Sequence, residues 1–230
     1  PTSVTIFFAI LPKIAALSVF IRFLYVPFIN LIDQWQTIII FVSIASMVFG
    51  AVAAIGQKNL KRLMAYSSIS HMGFALAGLA VGTNEGIQSS LIYISIYLLM
   101  NLAFFSCLFM LKRNDIYHED LSDLSGLSKN HPILALCLLI SLFSLAGIPP
   151  LAGFFAKFYI FLAVIKEEMY FLAIVGLLST VVAAFYYLRV IKTIYFDSQT
   201  EKFDINHDIG LKISLFCLLY TSDAADESVS

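Results

Sequence analysis

Two lysines lie in apolar stretches, where burying a charged side chain costs free energy. Lys13 lies about halfway along residues 4–25, and Lys157 is the only charged residue in 132–165. An ionisable group at membrane depth is rare and by default marks a functional site. Because desolvation disfavours the charged form of an amine, such a lysine can exchange protons where a surface lysine would not. These residues therefore predict proton transfer; the alternative is structural pairing with an acid, which none of the apolar runs supplies.

Lys157 follows a backbone feature that a straight helix cannot contain. Residues 132–165 as one helix would measure about 51 Å, far beyond the roughly 30 Å hydrocarbon core of a bilayer. Gly147-Ile148-Pro149-Pro150 lies inside this stretch, and two consecutive prolines remove two backbone donors. We therefore predict a broken helix, with halves at about 132–146 and 151–165 and with Lys157 directed into the bundle. Broken helices at this depth commonly mark ion pathways.

A second group of candidates lies in the hydroxyl-rich segment from Ala65 to His71 (AYSSISH). Because a histidine side chain ordinarily titrates near neutral pH, His71 together with Tyr66 and the serines could hold a chain of water molecules. The same residues could equally form hydrogen bonds between packed helices. The sequence leaves both interpretations open.

Metal and cofactor chemistry has little support in the sequence. Cys107, Cys137 and Cys217 occur singly, and the four histidines form no HxxxH or HExxH pair. Metal sites need ligands at closer spacing, so we expect none. The chain also has no nicotinamide, flavin or iron–sulfur motif, and we expect it to carry no cofactor or redox centre of its own.

The composition identifies the environment that must position these residues. Of the 230 residues, 60% are hydrophobic and 13% are charged, whereas soluble domains average roughly 45–50% apolar and about 25% charged residues. So few charges could not cover a soluble surface, and so much apolar sequence excludes intrinsic disorder. The net charge of −1 argues against nucleic acid as a partner. The chain is therefore predicted to be a membrane protein.

Long stretches with few or no charges predict the membrane-spanning elements. Six complete spans are expected, at residues 4–25, 36–57, 63–82, 86–111, 132–165 (broken) and 169–195. A seventh begins at 209, but its apolar run is too short to cross a bilayer. The predicted fold class is an all-α polytopic transmembrane helix bundle with one broken helix.

The basic residues predict the orientation of these spans. Ten of the fourteen Lys and Arg residues fall in loops on one side and two on the other, with Lys13 and Lys157 inside the spans. Basic loops remain on the side from which the protein is inserted. They should face the cytoplasm of a bacterium or the matrix of a mitochondrion, with the protein in the inner membrane.

Three segments carry a resemblance to a known family. The stretches QKNLKRLMAYSSISHMG (Gln57–Gly73) and SLAGIPPLAGFFAKFYIF (Ser144–Phe161), with the opening PTSVTIFFAILPK, resemble the antiporter-like membrane subunits of respiratory complex I, the NADH:quinone oxidoreductase. The resemblance covers about residues 1–215 and corresponds to the C-terminal half of subunit 2, called subunit N in bacteria. It implies that Lys13 takes the place of the eighth-helix lysine on the central polar axis. It also implies that Lys157 is the lysine of the broken twelfth helix, where the subunit 4 branch typically has glutamate.

The resemblance also implies a function. The family moves protons across the membrane, driven by quinone reduction elsewhere in the complex, so the expected partners are other membrane subunits of complex I and the lipid bilayer. The family's fifth-helix glutamate and seventh-helix lysine have no counterpart here. Residues 217–230 do not continue the family's last helix and are expected to be non-native or disordered. The alternatives are a stand-alone cation/proton antiporter and a purely structural membrane subunit.

Overall fold

The computed structural model describes residues 2–112, 120–198 and 204–205, which form a bundle of α-helices. In chain order the helices are α1 (Thr2–Tyr25), α2 (Ile32–Ile55), α3 (Leu60–Ala80), α4 (Asn84–Met110), α5 (Leu127–Asn130), α6 (Pro132–Ala146), α7 (Ala152–Lys166) and α8 (Tyr170–Phe196). The two-residue strands β1 (Leu111–Lys112) and β2 (Asp204–Ile205) pair antiparallel. The predicted all-α bundle is confirmed. The seventh span expected from 209 and the tail at 217–230 lie outside the described residues.

Within the described part of the chain, four helical segments are long and apolar enough to cross a membrane. They are Ile29–Ile55, Leu60–Ala80, Asn84–Met110 and Tyr170–Phe196. Many large apolar side chains on α2 and α8 are exposed, and those of Phe41 and Phe171 are each 71% exposed. In water such faces would be unstable, whereas in a bilayer they meet lipid or other subunits. The described chain is thus an integral membrane protein.

Helices α2 and α3 pack against each other with their backbones in close contact. A Cβ atom on Gly50 would lie 2.5 Å from the Ser70 nitrogen, and one on Gly73 would lie 2.8 Å from the Met47 nitrogen. Small residues allow this close approach in membranes, where van der Waals packing rather than the hydrophobic effect drives the association of helices. The close approach brings the polar face of α3 into the centre of the bundle.

The broken helix is present where the sequence predicts it. Helix α6 ends at Ala146 and α7 begins at Ala152, with 15 residues in each half. Gly147 adopts a left-handed conformation (φ +82°) and donates its N–H to the carbonyls of Phe143 and Ser144. Glycine suits this position because it carries no Cβ penalty at positive φ. Gly147 therefore caps the C-terminus of α6 at the break.

The basic connections gather at one end of the bundle, hereafter the basic end, where α2 ends, α3 begins and α8 ends. Arg189 of α8 donates from its two terminal nitrogens to the carbonyls of Ile55 (2.6 Å) and Gln57 (2.7 Å). The Leu121 N–H donates to the Lys58 carbonyl (2.9 Å). These bonds tie α8 and the segment before α5 to the α2–α3 connection.

Candidate functional site

Lys157 is held at the helix break. Its side chain is 4% exposed, and its ammonium donates to the carbonyl oxygens of Ala146 (2.9 Å) and Leu145 (3.3 Å). These carbonyls lie in the last turn of α6, where a helix has no intrahelical donors left for them. The negative end of the helix dipole also favours a cation at this position. The break thus creates the polar site that the lysine occupies.

Ser144 joins the two halves of the broken helix. Its hydroxyl accepts a hydrogen bond from the Gly153 N–H (3.1 Å) and donates to the Met100 sulfur (2.8 Å) of α4. Gly153 lies directly against the Ser144 carbonyl, leaving no room for a Cβ atom. Together these contacts set the distance from α7 to the end of α6, and therefore the position of Lys157.

His71 lies at the centre of a buried hydroxyl cluster formed by α3, α4 and α8. Its Nδ1 lies 2.6 Å from the Tyr93 hydroxyl, and its Nε2 lies 3.1 Å from the Tyr187 hydroxyl. Tyr187 also hydrogen-bonds Ser67, and the Tyr97 ring packs 4.8 Å from the imidazole centroid. Hydroxyl groups on both ring nitrogens allow the imidazole to exchange a proton on either side. We call these five residues the His71 cluster.

Lys13 approaches the same region from α1. It is partly buried, and its ammonium donates to the Ser68 hydroxyl of α3, which lies beside Tyr97. Its stem lines a groove of about 430 Å³ with side chains including Leu17, Ile39 and Met72. Lys13 is therefore directed toward the His71 cluster.

The Phe74 ring connects Lys157 to the cluster. The Lys157 ammonium lies 5.4 Å from the centroid of this ring, which in turn lies 6.0 Å from the Tyr93 ring. An aromatic face attracts a cation. Lys13 reaches the same cluster through Ser68, which lies beside Tyr97. The two lysines thus flank one buried histidine.

Three of the four residues singled out from the sequence come together. Lys13, His71 and Lys157 surround the same interior region, whereas Tyr66 is half-buried and packs its ring 6.0 Å from Phe49 of α2. The sequence reasoning missed Ser144 and the tyrosines of the cluster, Tyr93, Tyr97 and Tyr187. These four residues could have been found in the sequence as side chains with a hydroxyl group in long segments that contain no charged residue. Among the described residues, no group of three or more His, Cys, Asp or Glu side chains could hold a metal ion.

Comparisons with known proteins identify a family for this chain. Residues 1–183 match the family described as NADH:quinone oxidoreductase/Mrp antiporter, TM. The chain is 76% identical over 215 residues to the NADH-quinone oxidoreductase subunit N of Pelagibacter ubique (strain HTCC1062), covering 94% of this chain and 46% of that protein. The chain therefore spans about half the length of the curated relatives it matches.

Two solved structures share its fold. A chain of respiratory complex I from Thermus thermophilus is similar with a TM-score of 0.72 and 27% identity, over 83% of this chain and 43% of that one. A chain of the Mrp complex from Dietzia sp. DQ12-45-1b is similar with a TM-score of 0.79 and 26% identity, over 89% and 38% respectively.

Proposed function

The chain belongs to the NADH:quinone oxidoreductase/Mrp antiporter membrane family, and from that premise we propose that it is part of a proton-translocating subunit N of a bacterial NADH:quinone oxidoreductase. Its 76% identity to a bacterial subunit N supports this assignment. In the proposal, quinone reduction elsewhere in the complex drives proton movement through this subunit. Its partners are the other membrane subunits and lipid, and the basic end faces the cytoplasm. The chain itself carries no redox centre.

The observation that carries the proposal is the buried ammonium of Lys157. Among the described residues it has no carboxylate partner, and its hydrogen-bond acceptors are the carbonyls of Leu145 and Ala146. Carbonyl dipoles stabilise the ammonium less than a carboxylate would, because they carry only partial charge. A lysine held in this way can lose its proton and regain it without breaking an ion pair. Lys157 is thus suited to accept and release protons at membrane depth.

Lys13 and His71 provide the rest of the relay. A proton released by the Lys13 ammonium passes to the Ser68 hydroxyl and, through the neighbouring hydroxyls of the cluster, to His71 Nε2, while His71 gives up the proton on Nδ1 to Tyr93. Water between Tyr93 and Lys157 carries a proton on to the Lys157 amine, and each hydroxyl that donates a proton regains one. The transfer leaves Lys13 neutral, Lys157 protonated and His71 in its other tautomer; the cycle closes when Lys13 takes up a proton, Lys157 releases one and the imidazole returns to its first tautomer.

A stand-alone cation/proton antiporter is the second candidate, supported by the structural similarity to the Mrp complex chain (TM-score 0.79). Its 26% identity is far below the 76% identity to subunit N. The two functions differ in what drives transport. Proton movement driven by NADH oxidation and stopped by quinone-site inhibition supports the oxidoreductase, whereas transport driven by a cation gradient alone supports the antiporter. A purely structural subunit would tolerate substitution of both lysines.

Lys13→Arg tests the relay directly. Introduced into the complete subunit, this variant keeps the positive charge but places a guanidinium that does not release its proton. NADH-driven proton uptake by inverted membrane vesicles should fall by about tenfold or more, since a positioned proton-transfer group contributes at least that much. The amount of assembled complex should not change.

The matched control is Lys166→Arg, because Lys166 is 53% exposed and pairs with Glu85 at the opposite end of the bundle. It should pump like the unaltered complex. Full pumping by Lys13→Arg would show that this position needs only a charge, and the lysine relay would be wrong.

A further inference from the structure

The Tyr186 hydroxyl is a buried polar group without a partner. The side chain is 0% exposed, and its oxygen makes no hydrogen bond. Ser67 and Tyr187 of the His71 cluster lie close to it, but their hydroxyls bond to each other and neither meets hydrogen-bond geometry with Tyr186. Buried hydroxyls are nearly always satisfied by protein or ordered water, so an unsatisfied one calls for an explanation.

A second unpartnered group lies on the same helix, closer to the basic end. Arg189 uses both terminal nitrogens to hold the carbonyls of Ile55 and Gln57, while its Nε is buried and makes no hydrogen bond. Tyr186 and Arg189 are three residues apart on α8. They share one face of the helix and are separated by about 4.5 Å along its axis.

Two buried, unpartnered polar groups on one face of α8 are candidates for hydrogen bonds to buried water. A buried water molecule makes about three hydrogen bonds to polar groups that would otherwise be unsatisfied. Tyr186 Oη offers both a donor and an acceptor, Arg189 Nε offers a donor, and the Ser67–Tyr187 pair supplies further acceptors. We propose that one or more water molecules bind between α3 and α8, next to Tyr186, and connect the His71 cluster to the basic end near Arg189.

This water site is a branch of the proton path that enters beside α8, separate from the route through Lys13. A proton arriving from the basic end binds the water, which passes one of its own protons to Tyr186, and Tyr186 passes its hydroxyl proton to the neighbouring Tyr187. Tyr187 then passes its hydroxyl proton to His71 Nε2, and each tyrosine keeps the proton that it has received. Only the imidazole gains a proton in this sequence. The inference rests on the proposed function, because it assumes that His71 takes part in proton transfer.

The test replaces Tyr186 with phenylalanine in the complete subunit within the assembled complex. Tyr186→Phe removes one hydroxyl and preserves the buried ring. We expect NADH-driven proton uptake to fall several-fold, with normal assembly and normal quinone reductase activity measured with an uncoupler. The matched control is Tyr195→Phe. Tyr195 lies on the opposite face of α8, so this variant should pump normally.

Electron cryo-microscopy at a resolution that shows water provides the second measurement. The unaltered complex should show water within hydrogen-bonding distance of Tyr186 Oη, and the Tyr186→Phe complex should lack it. A direct hydrogen bond from Tyr186 to protein, with no water, would overturn the inference whatever the variant does. Unchanged pumping by Tyr186→Phe would overturn the branch, even if the Lys13 and Lys157 variants fail to pump. Unchanged pumping by both lysine variants would instead overturn the proposed function.

Discussion

In the complete subunit, Lys157→Ala should reduce NADH-driven proton pumping by about tenfold or more, as expected when a positioned proton-transfer side chain is lost. The substitution removes the amine that contacts the Leu145 and Ala146 carbonyls. It leaves the Gly147 cap and the Ser144–Gly153 hydrogen bond intact. The helix break should therefore persist, and the complex should assemble. The measurements are proton uptake by inverted vesicles and the amount of assembled complex in the same membranes.

Lys166→Ala is the matched control for this variant. Lys166 lies on the same helix, but its side chain is exposed and its ion pair with Glu85 is on the surface. Such pairs contribute little to stability, so pumping should be unaffected. If Lys157→Ala pumps as well as Lys166→Ala, a proton-transfer role for Lys157 is wrong.

Gly153→Ala should have the second largest effect, acting on the fold of the site rather than on its chemistry. The added Cβ would lie 2.7 Å from the Ser144 carbonyl carbon and still closer to its oxygen. These are backbone atoms in the last turn of α6, so α7 must move away from α6. Overpacking of this kind costs about 1–3 kcal/mol. We expect a lower melting temperature, less assembled complex and reduced pumping per complex, because Lys157 moves away from its two carbonyls.

Gly56→Ala is the control for Gly153→Ala. A Cβ atom on Gly56 meets nothing within 4 Å, and its φ of −77° suits alanine. This variant should melt and pump like the unaltered protein. A Gly153→Ala complex with unchanged melting temperature and pumping would show that the contact between α6 and α7 does not set the position of Lys157.

The sequence alone was sufficient for the membrane class, the helical fold and the broken helix. Each follows from a constraint that acts along the chain. Apolar run length must match bilayer thickness, and consecutive prolines cannot continue a helix. The break between Ala146 and Ala152 follows from those two constraints. The sequence also singled out Lys13 and Lys157, because charge at membrane depth is rare enough to be noticed without knowing any contact.

Only the tertiary structure decided which side chains meet. Helices that are apolar on every side have no hydrophobic periodicity that separates a core face from a lipid face. The sequence therefore could not distinguish Tyr66 from His71, although only His71 joins the cluster. Likewise, no pattern along the chain could reveal that Lys157 pairs with carbonyls instead of an acid. Those carbonyls become available only when α7 packs back against the end of α6. The positions of Ser144, Tyr93 and Tyr187 depend on the same packing, because contacts between distant helices are set by shape and close approach rather than by spacing in the sequence.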